Sequence, residues 1–352
     1  MYRILVINPG STSTEISLFE DDNEIRSARI VHPVADLRKF ETILEQLPYR
    51  SSIIASQIQQ WGIGKGDLAA VVGRSALLKK ETGTYVVNPK MVEDLKAGKV
   101  RIEHAAILGG LLANEVAKQY GTPAFVAHIV FSRFEPLARV SGLPEIERRP
   151  AYHVQNIDAI ARAAARDVDK DPDDVNLVIA HLEGGMSITA LSGGRVIDST
   201  NALDEGPFTT ERSGNLPGVS LVELCYSGKY TKTQVLRMIR GEGGMVAYLG
   251  TNRISDIEDR IDRGDEKARF YLEAMCYQIA KDIGAMATVL KGQLDVIVLT
   301  GKILESKRAV DWIQQRVRFI APVKTYPEQE ALAFAQAALT VLRGEKSPII
   351  YE

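Results

Sequence analysis

A repeated strand–loop–strand unit is the feature that most constrains the fold of this chain. In the first copy, residues 5–14, an apolar run ends in Asn8, passes a Pro-Gly turn and enters a loop with four hydroxyl side chains. Residues 16–19 then alternate as a second strand. The second copy, residues 177–191, is again a strand, a glycine-containing loop and a strand. Two such units predict a chain built from two related halves.

The chemistry of these loops predicts phosphate binding. A tight loop that is dense in backbone N–H groups and hydroxyl donors can cradle a phosphate. The pattern is not the strand–loop–helix of a P-loop, and the P-loop lysine is missing. Taken alone, the first loop could equally be an ordinary Ser/Thr-rich hairpin. The second copy favours phosphate, and the arrangement resembles the actin-like ATPase superfamily, in which nucleotide lies in a cleft between two duplicated domains.

Composition excludes several classes of protein. A chain of 352 residues is long for one hydrophobic core, so two domains are expected. The net charge of -2 does not indicate binding to nucleic acid or to an anionic membrane. The sequence contains neither a membrane-spanning apolar run nor a signal-peptide pattern. Cys225 and Cys276 lack metal-ligand spacing, so we expect buried thiols in a reducing cytoplasm.

Hydrophobic periodicity predicts an α/β chain. Residues 1–35 are predicted as a β-meander and residues 37–61 as two helices. Residues 68–74 are predicted as a buried strand that ends at Arg74, and ligands gather at the carboxyl ends of such strands. Residues 135–149 are predicted as an irregular connection near the domain boundary.

The ordered motifs together resemble the acetate and butyrate kinases, and the similarity spans nearly the whole chain. The motifs that carry it are residues 6–14, residues 71–74, His104, His153, residues 204–214 and residues 298–301. Two further stretches, residues 135–142 and 244–252, are similar to the butyrate branch rather than the acetate branch.

This resemblance implies the fold class and the domains. The expected fold is α/β, with two duplicated actin-like (ribonuclease-H-like) ATPase domains and a cleft between them. Residues 1–150 would form the first domain, and the C-terminal helix, about residues 329–352, would pack back on it. Residues 151–328 would form the second domain, with the nucleotide-binding loops and the interface of a homodimer or larger homo-oligomer.

The resemblance also implies reversible phosphoryl transfer from ATP to a short-chain carboxylate, which gives an acyl phosphate and ADP. The acceptor carboxylate, with a pKa of about 4 to 5, is already ionised at pH 7, so it needs no general base. The difficulty is to bring two anions together and to stabilise charge on the transferring group. Guanidinium groups, an imidazole and Mg²⁺ meet that need. Neither nucleic acid nor a membrane is an expected partner.

Site residues follow from the resemblance position by position. Arg74 and Arg212 would clamp the carboxylate and the transferring phosphate, His153 would donate to the phosphoryl oxygens, and His104 would shape the substrate side. Metal binding is assigned to Asn8 and Glu328, with Glu330 as the other candidate carboxylate. The residues assigned to nucleotide and phosphate are Asn8, Ser11, Ser13, Gly184, Gly185, Thr300 and Gly301.

Several positions depart from the family pattern. The family usually has Lys at the place of Glu15, Asp at that of His128, and Gly at those of Glu183 and Lys302. Two hypotheses therefore stay open: an active kinase with an altered nucleotide or metal site, and a catalytically impaired homologue that acts as a binding or regulatory subunit. In the second, Glu183 and Lys302 are expected to pair. A sugar kinase is disfavoured because paired arginines suit an anionic acceptor.

Overall fold

The computed structural model describes residues 1–10, 12–74, 83–99, 105–128, 134–203, 205–327 and 330–352. By its internal contacts the chain divides into two compact units, residues 1–130 with 329–352 and residues 131–328. The strands are β1 (Arg3–Pro9), β2 (Ser13–Glu20), β3 (Asn23–Val31), β4 (Ala70–Arg74), β5 (Gly83–Val86), β6 (Ala124–His128), β7 (Val140–Leu143), β8 (Ile146–Glu147), β9 (Asn176–Leu182), β10 (Met186–Ser192), β11 (Arg195–Ser199), β12 (Val296–Thr300), β13 (Val323–Tyr326) and β14 (Ile349–Ile350).

Helices alternate with groups of these strands along the chain. They are α1 (Val34–Leu37), α2 (Leu47–Gln60), α3 (Pro89–Lys96), α4 (Ile107–Tyr120), α5 (Val154–Arg166), α6 (Gly218–Tyr226), α7 (Lys232–Ile239), α8 (Gly244–Leu249), α9 (Ile254–Asp262), α10 (Glu266–Val289), α11 (Lys307–Val317) and α12 (Glu330–Leu342). Within the described part of the chain, no helix has the length and apolarity that crossing a membrane requires.

The first unit is built on a seven-stranded sheet in the order β14-β5-β6-β4-β1-β2-β3. Side chains alternate along β1, so Leu5 and Ile7 pack in the layer of α2 and α4, whereas Ile4 and Val6 pack in the layer of α12. Both faces of β1 are therefore buried, which explains its unbroken apolar run. Strands β1 and β4 are parallel, so their carboxyl ends lie side by side.

Two glycines set how closely α4 approaches this sheet. A Cβ on Gly73 would lie 2.2 Å from the carbonyl oxygen of Gly109, and a Cβ on Gly109 would lie 2.3 Å from that of Arg74. Real Cβ atoms do not come so close to backbone, so only glycine allows this packing. The contact fixes the end of β4, and with it the backbone of Arg74.

The second unit has a five-stranded sheet in the order β11-β10-β9-β12-β13. One face of β9 packs in the core with α10, and the other face packs in the core with α5. Strands β9 and β12 are parallel, with His181 opposite Thr300. Both carboxyl ends therefore open into turns at the same edge of this sheet.

Three details differ from the sequence analysis. The helix predicted from residue 37 is wrong over residues 38–43, because a new helix starts around Pro48, which cannot sit in a helix interior. Residues 140–147 form a small β7–β8 hairpin rather than an irregular connection. Cys276 is buried as expected, but Cys225 is exposed.

The segment before residue 150 belongs to the second unit, although we expected it in the first domain. Phe134 stacks on Tyr152 with ring centroids 6.3 Å apart. The Arg148 guanidinium donates to Glu205 at 2.9 Å and to Asp198 at 3.2 Å. These contacts join residues 134–148 to the second sheet.

Candidate active site

Three polar side chains meet at the carboxyl ends of β1 and β4 in the first unit. The Nδ2 of Asn8 donates to Oε2 of Glu330 at 2.8 Å, and Nη1 of Arg74 donates to Oδ1 of Asn8 at 3.2 Å. Arg74 Nη1 also lies 3.6 Å from the Glu330 carboxylate. Asn8 and Glu330 are buried, whereas the Arg74 side chain keeps a quarter of its surface exposed. The guanidinium is thus oriented by two buried partners while it stays accessible.

The second oxygen of Glu330 is the notable feature of this cluster. Oε1 is buried and has no hydrogen-bond partner among the described residues. A buried carboxylate oxygen without a partner costs free energy unless a ligand satisfies it. Among those same residues, no three His, Cys, Asp or Glu side chains form a metal cage. A Mg²⁺ site does not need one, because Mg²⁺ commonly uses one or two protein oxygens and takes the others from water and phosphates.

The loop after β1 is held from behind by Arg50, which the sequence analysis missed. Nη1 of Arg50 donates to the carbonyl oxygens of Gly10 at 2.9 Å and Ser13 at 3.1 Å, and to the Thr14 hydroxyl at 3.0 Å. Arg50 is fully buried, and burial lowers the pKa of its guanidinium to about 10. A buried cation that satisfies these carbonyls fixes the loop and adds positive charge behind it.

His32 supports the same loop. Its Nε2 is 2.8 Å from the Thr14 hydroxyl, and its ring lies edge-on to Tyr49 with centroids 5.4 Å apart. Burial, together with the nearby charge of Arg50, lowers the pKa of His32 to about 4. The ring is therefore neutral at pH 7.

Two of the substituted positions flank the Asn8 cluster. Glu15 is directly opposite Asn8 in the β1–β2 pairing, and its carboxylate lies 3.7 Å from Arg29. His128 ends β6, is buried, and packs edge-on against Tyr85 with ring centroids 5.8 Å apart. Its neighbour Ala127 pairs with Arg74, so His128 lies at the same edge of the sheet as the cluster.

In the second unit, Arg212 lies against the turn that joins β9 to β10. A Cβ on Gly185 would come within 2.6 Å of Nη1 of Arg212, and a Cβ on Gly184 within 3.0 Å of the Glu211 carboxylate. The Thr209 hydroxyl donates to the carbonyl of Gly184 at 2.6 Å. A side chain at either glycine would displace the ends of the Glu211 and Arg212 side chains, which lie against the turn. The Arg212 guanidinium and the backbone of the Gly184–Gly185 turn thus form one continuous surface.

Two histidines stack beside this turn. The rings of His153 and His181 are parallel to within 20°, with centroids 3.7 Å apart. His153 Nδ1 is 2.9 Å from the Ser187 hydroxyl, and His181 Nδ1 is 2.6 Å from Nδ2 of Asn156. An amide nitrogen can only donate, so His181 Nδ1 accepts this hydrogen bond. His153 is therefore held by a ring stack on one side and a hydroxyl on the other.

Glu183 and Lys302 form an ion pair, which confirms the pairing expected from the sequence. Nζ of Lys302 lies 3.3 Å from Oε1 of Glu183, and Nε2 of His181 lies 3.6 Å from Oε2. Burial alone would raise the pKa of Glu183, but the His181 contact and the charges of Lys302 and His153 outweigh it and hold that pKa far below its usual range. Glu183 is therefore ionised at neutral pH.

The turn after β12 completes this edge of the sheet. Thr300 is buried, and its hydroxyl accepts from Nδ2 of Asn156 at 3.4 Å. Gly301 has a φ of +91° and its Cα lies against the carbonyl of Leu182. A cavity of about 490 Å³ opens beside α11; its lining residues are Glu258, Glu305, Ser306, Lys307, Arg308, Asp311, Trp312 and Gln315.

Comparisons with known proteins identify the family. The acetokinase family profile matches residues 145–342, more than half of the chain. A "probable butyrate kinase 2" of Caldanaerobacter subterraneus subsp. tengcongensis is 44% identical over 356 residues, covering 100% of both chains. "Butyrate kinase 2" of Clostridium acetobutylicum is 44% identical over 355 residues, covering 100% of this chain and 99% of the other. The chain belongs to the acetokinase family.

Solved structures of this family share its fold. The acetate kinase of Porphyromonas gingivalis has a TM-score of 0.74 at 19% identity, covering 97% of this chain and 100% of that one. A propionate kinase of Francisella tularensis has a TM-score of 0.69 at 18% identity, covering 96% and 99%. The actin-like α/β fold predicted from the sequence is confirmed.

The structure gathers the predicted residues of this acetokinase family member into one cluster in each unit. Asn8 and Arg74 lie in the first cluster, and Ser13 lies in the loop beside it. The second cluster contains His153, Glu183, Gly184, Gly185, Arg212, Thr300, Gly301 and Lys302. Ser11, His104 and Glu328 lie outside the described residues.

Sequence reasoning missed four residues that support these clusters: Arg50, His32, Asn156 and His181. For two of them the sequence offered a local signal. His181 follows the apolar run of residues 177–180, and Asn156 lies three residues after His153. Arg50 and His32 gave no local signal, because each reaches the loop only through the tertiary fold.

Proposed function

We propose that this chain is a short-chain carboxylate kinase of the butyrate kinase type. It transfers the γ-phosphoryl group of ATP to a carboxylate, reversibly, to form an acyl phosphate and ADP. The observation that carries this proposal is the 44% identity, along the full length, to proteins named butyrate kinases. The comparisons lend no support to the hypothesis of an impaired regulatory homologue.

The second unit is proposed to hold the nucleotide. The Gly184–Gly185 turn lets a phosphate approach backbone closely, and the Arg212 guanidinium lies against the same turn. Arginine provides a planar fork that suits phosphate oxygens. The Gly301 turn contacts Leu182 and Glu183 at the same edge of the sheet, where the nucleoside is expected.

The residues of the first unit fit a magnesium ion. The buried Oε1 of Glu330 has no partner among the described residues, and the amide oxygen of Asn8, which accepts from Arg74, lies in the same cluster. These are hard oxygen donors of the kind that Mg²⁺ prefers. We propose Glu330, the other candidate carboxylate, as the metal ligand; Glu328 lies outside the described residues. When bound, Mg²⁺ would neutralise charge on the phosphate oxygens.

The protein's own groups would orient and stabilise the two anions. Asn8 and Glu330 hold the Arg74 guanidinium, which would bind the carboxylate or the transferring phosphoryl group. His153, fixed by Ser187 and by its stack on His181, would donate to a phosphoryl oxygen. Charge stabilisation of this kind is the main contribution proteins make to phosphoryl transfer.

A homodimer or larger homo-oligomer is part of the proposal. Helix α6 in the second unit has no buried residue, and Val219, Val222 and Tyr226 on it are exposed. Exposed apolar groups that cluster on one element favour a protein interface. Light scattering during gel filtration would test this, and a monomer at micromolar concentration would refute it.

A coupled assay tests the proposed activity. Acetate, butyrate and isobutyrate would be supplied in parallel with Mg-ATP, and acyl phosphate would be trapped as the hydroxamate. We expect product from at least one acid, and ATP from ADP and the corresponding acyl phosphate. Arg212→Gln should lose at least about a hundredfold in kcat/KM. Absence of product in both directions from a folded wild-type protein would overturn the proposal.

A further inference from the structure

The turns after β9 and β12 touch at Gly301. A Cβ at this position would lie 2.7 Å from the carbonyl oxygen of Leu182 and 3.0 Å from Cγ of Glu183. The contact places Lys302, the next residue, directly beside Glu183. Two turns that the chain separates by more than a hundred residues thus share one pair of opposite charges.

The pair is held by charge more than by directed hydrogen bonds. Nζ of Lys302 and Oε1 of Glu183 are 3.3 Å apart, yet Oε1 has no hydrogen-bond partner of good geometry among the described residues. The other oxygen lies 3.6 Å from His181 Nε2, beyond an ordinary hydrogen bond. The Lys302 and Glu183 side chains are 25% and 20% exposed. A competing anion can therefore reach Lys302 from solvent.

Glu183 lies where its charge would affect phosphate binding. Glu183 directly precedes the Gly184–Gly185 turn, against which Arg212 lies. A carboxylate at the rim of a phosphate cradle repels phosphate, and a neighbouring ammonium group cancels that repulsion. The ammonium group can also bind the phosphate itself, because lysine is a flexible point charge with three donors.

We propose that Lys302 is a phosphate-binding residue of the nucleotide site and that Glu183 is its internal counter-ion, which the nucleotide phosphates displace. This inference rests on the proposed function, since that function brings nucleotide to the Gly184–Gly185 turn. Glu183 then weakens nucleotide binding and Lys302 strengthens it. The pair adjusts nucleotide affinity, whereas Arg74 and Arg212 bind the carboxylate and the transferring phosphoryl group.

Isothermal titration with Mg-ADP and Mg-ATP tests the pair without relying on turnover. Glu183→Gln keeps the side-chain shape, removes the counter-ion, and should lower Kd about tenfold, since one unit charge several ångströms away is worth about that much. Lys302→Met leaves Glu183 uncompensated and should raise Kd about tenfold or more. The effects in the double variant should not add, because the two residues are in contact.

A matched ion pair controls for general charge effects. Nζ of Lys170 lies 2.7 Å from Asp295, which precedes β12, so this pair lies at the opposite ends of β9 and β12. Lys170→Met and Asp295→Asn should each change the nucleotide Kd less than about twofold, because charges more than a Debye length away are screened. Thermal unfolding of every variant checks that each one folds.

The alternative is that the Glu183–Lys302 ion pair only stabilises the contact between the two turns and does not take part in nucleotide binding. In that case Glu183→Gln and Lys302→Met would weaken nucleotide binding alike and lower Tm alike. If both variants shift the nucleotide Kd in the same direction, or no more than the Lys170 control does, the counter-ion proposal is overturned. Nucleotide binding by the wild type would still leave the kinase proposal standing. No heat for the wild type or any variant at millimolar nucleotide would overturn both. Binding by Glu183→Gln but not by the wild type would support the counter-ion role.

Discussion

Asn8 Nδ2 donates a hydrogen bond of 2.8 Å to Oε2 of Glu330, a residue 322 positions further along the chain. The bond ties the end of the first strand to the last long helix. It also holds the Glu330 carboxylate, whose other oxygen has no hydrogen-bond partner among the described residues. This oxygen is the reason for proposing Glu330 as a metal ligand.

Glu330→Gln should therefore lower kcat about a hundredfold and raise the Mg²⁺ concentration that gives half-maximal rate. The amide keeps the shape of the side chain but removes its charge. Steady-state rates over a Mg²⁺ series measure both effects. Glu328→Gln is the matched control and should leave the Mg²⁺ dependence unchanged. If Glu328→Gln shows the loss and Glu330→Gln does not, the metal assignment is wrong.

Arg50→Met should destabilise the first unit by about 3 kcal/mol, because the Gly10 carbonyl and the Thr14 hydroxyl would lose the Arg50 donor and the Ser13 carbonyl would keep only the Gly10 N–H. Arg50→Lys should lose less, since an ammonium group can still donate to one of them. Urea unfolding measures both. Arg162→Met removes an exposed arginine that pairs with Asp158 and should change stability by less than about 0.5 kcal/mol. Equal effects at residues 50 and 162 would refute the loop-holding role.

Because of His32, the free energy of unfolding should fall as the pH is lowered. Its pKa is about 4 in the folded protein, below the ordinary value of 6.5, so the unfolded chain binds more protons between those values. Stability is therefore complete above pH 6.5 and declines toward pH 4, by about 2 kcal/mol at pH 5. Urea unfolding at pH 7.5 and pH 5 measures the change. His32→Gln should remove this part of the decline, and an unchanged decline would assign it to other groups.

Gly109→Ala should destabilise the first unit by at least about 2 kcal/mol, because its Cβ would meet the carbonyl oxygen of Arg74 at 2.3 Å. Gly284→Ala is the matched control. Gly284 lies within α10, and a Cβ there has no neighbour within 4 Å. Alanine should stabilise that helix by up to about 1 kcal/mol. Thermal unfolding should move in opposite directions for the two variants, and a common direction would contradict the packing argument.

The sequence predicted much of the site because the signals are local. Buried strands show as apolar runs, and the turns that follow them show as glycine and hydroxyl residues. Asn8, Arg74, Gly184 and Thr300 all stand at ends of strands, where ligands gather in α/β sheets. The Glu183–Lys302 pair could also be predicted, because both charges fall on turns of parallel strands.

The sequence could not predict which residues support those positions. Arg50 reaches the first loop from α2, His32 reaches it from beyond β3, and Glu330 reaches Asn8 from the far end of the chain. Periodicity describes what one segment does and says nothing about which distant segment it meets. Periodicity also predicted a helix over residues 38–43, where the structure has none. The helix starts only around Pro48, because proline is tolerated in the first turn of a helix and not in its interior.

The sequence by itself determined the family, most strands of the two main sheets and the turns that follow them, since each depends on residue types at short spacing. Only the tertiary structure decided that Glu330 faces Asn8, that Arg50 holds the first loop, and that Gly73 and Gly109 let α4 meet β4. The physical reason is that a buried polar group needs a partner wherever the fold can supply one, and that partner can lie at any distance along the chain.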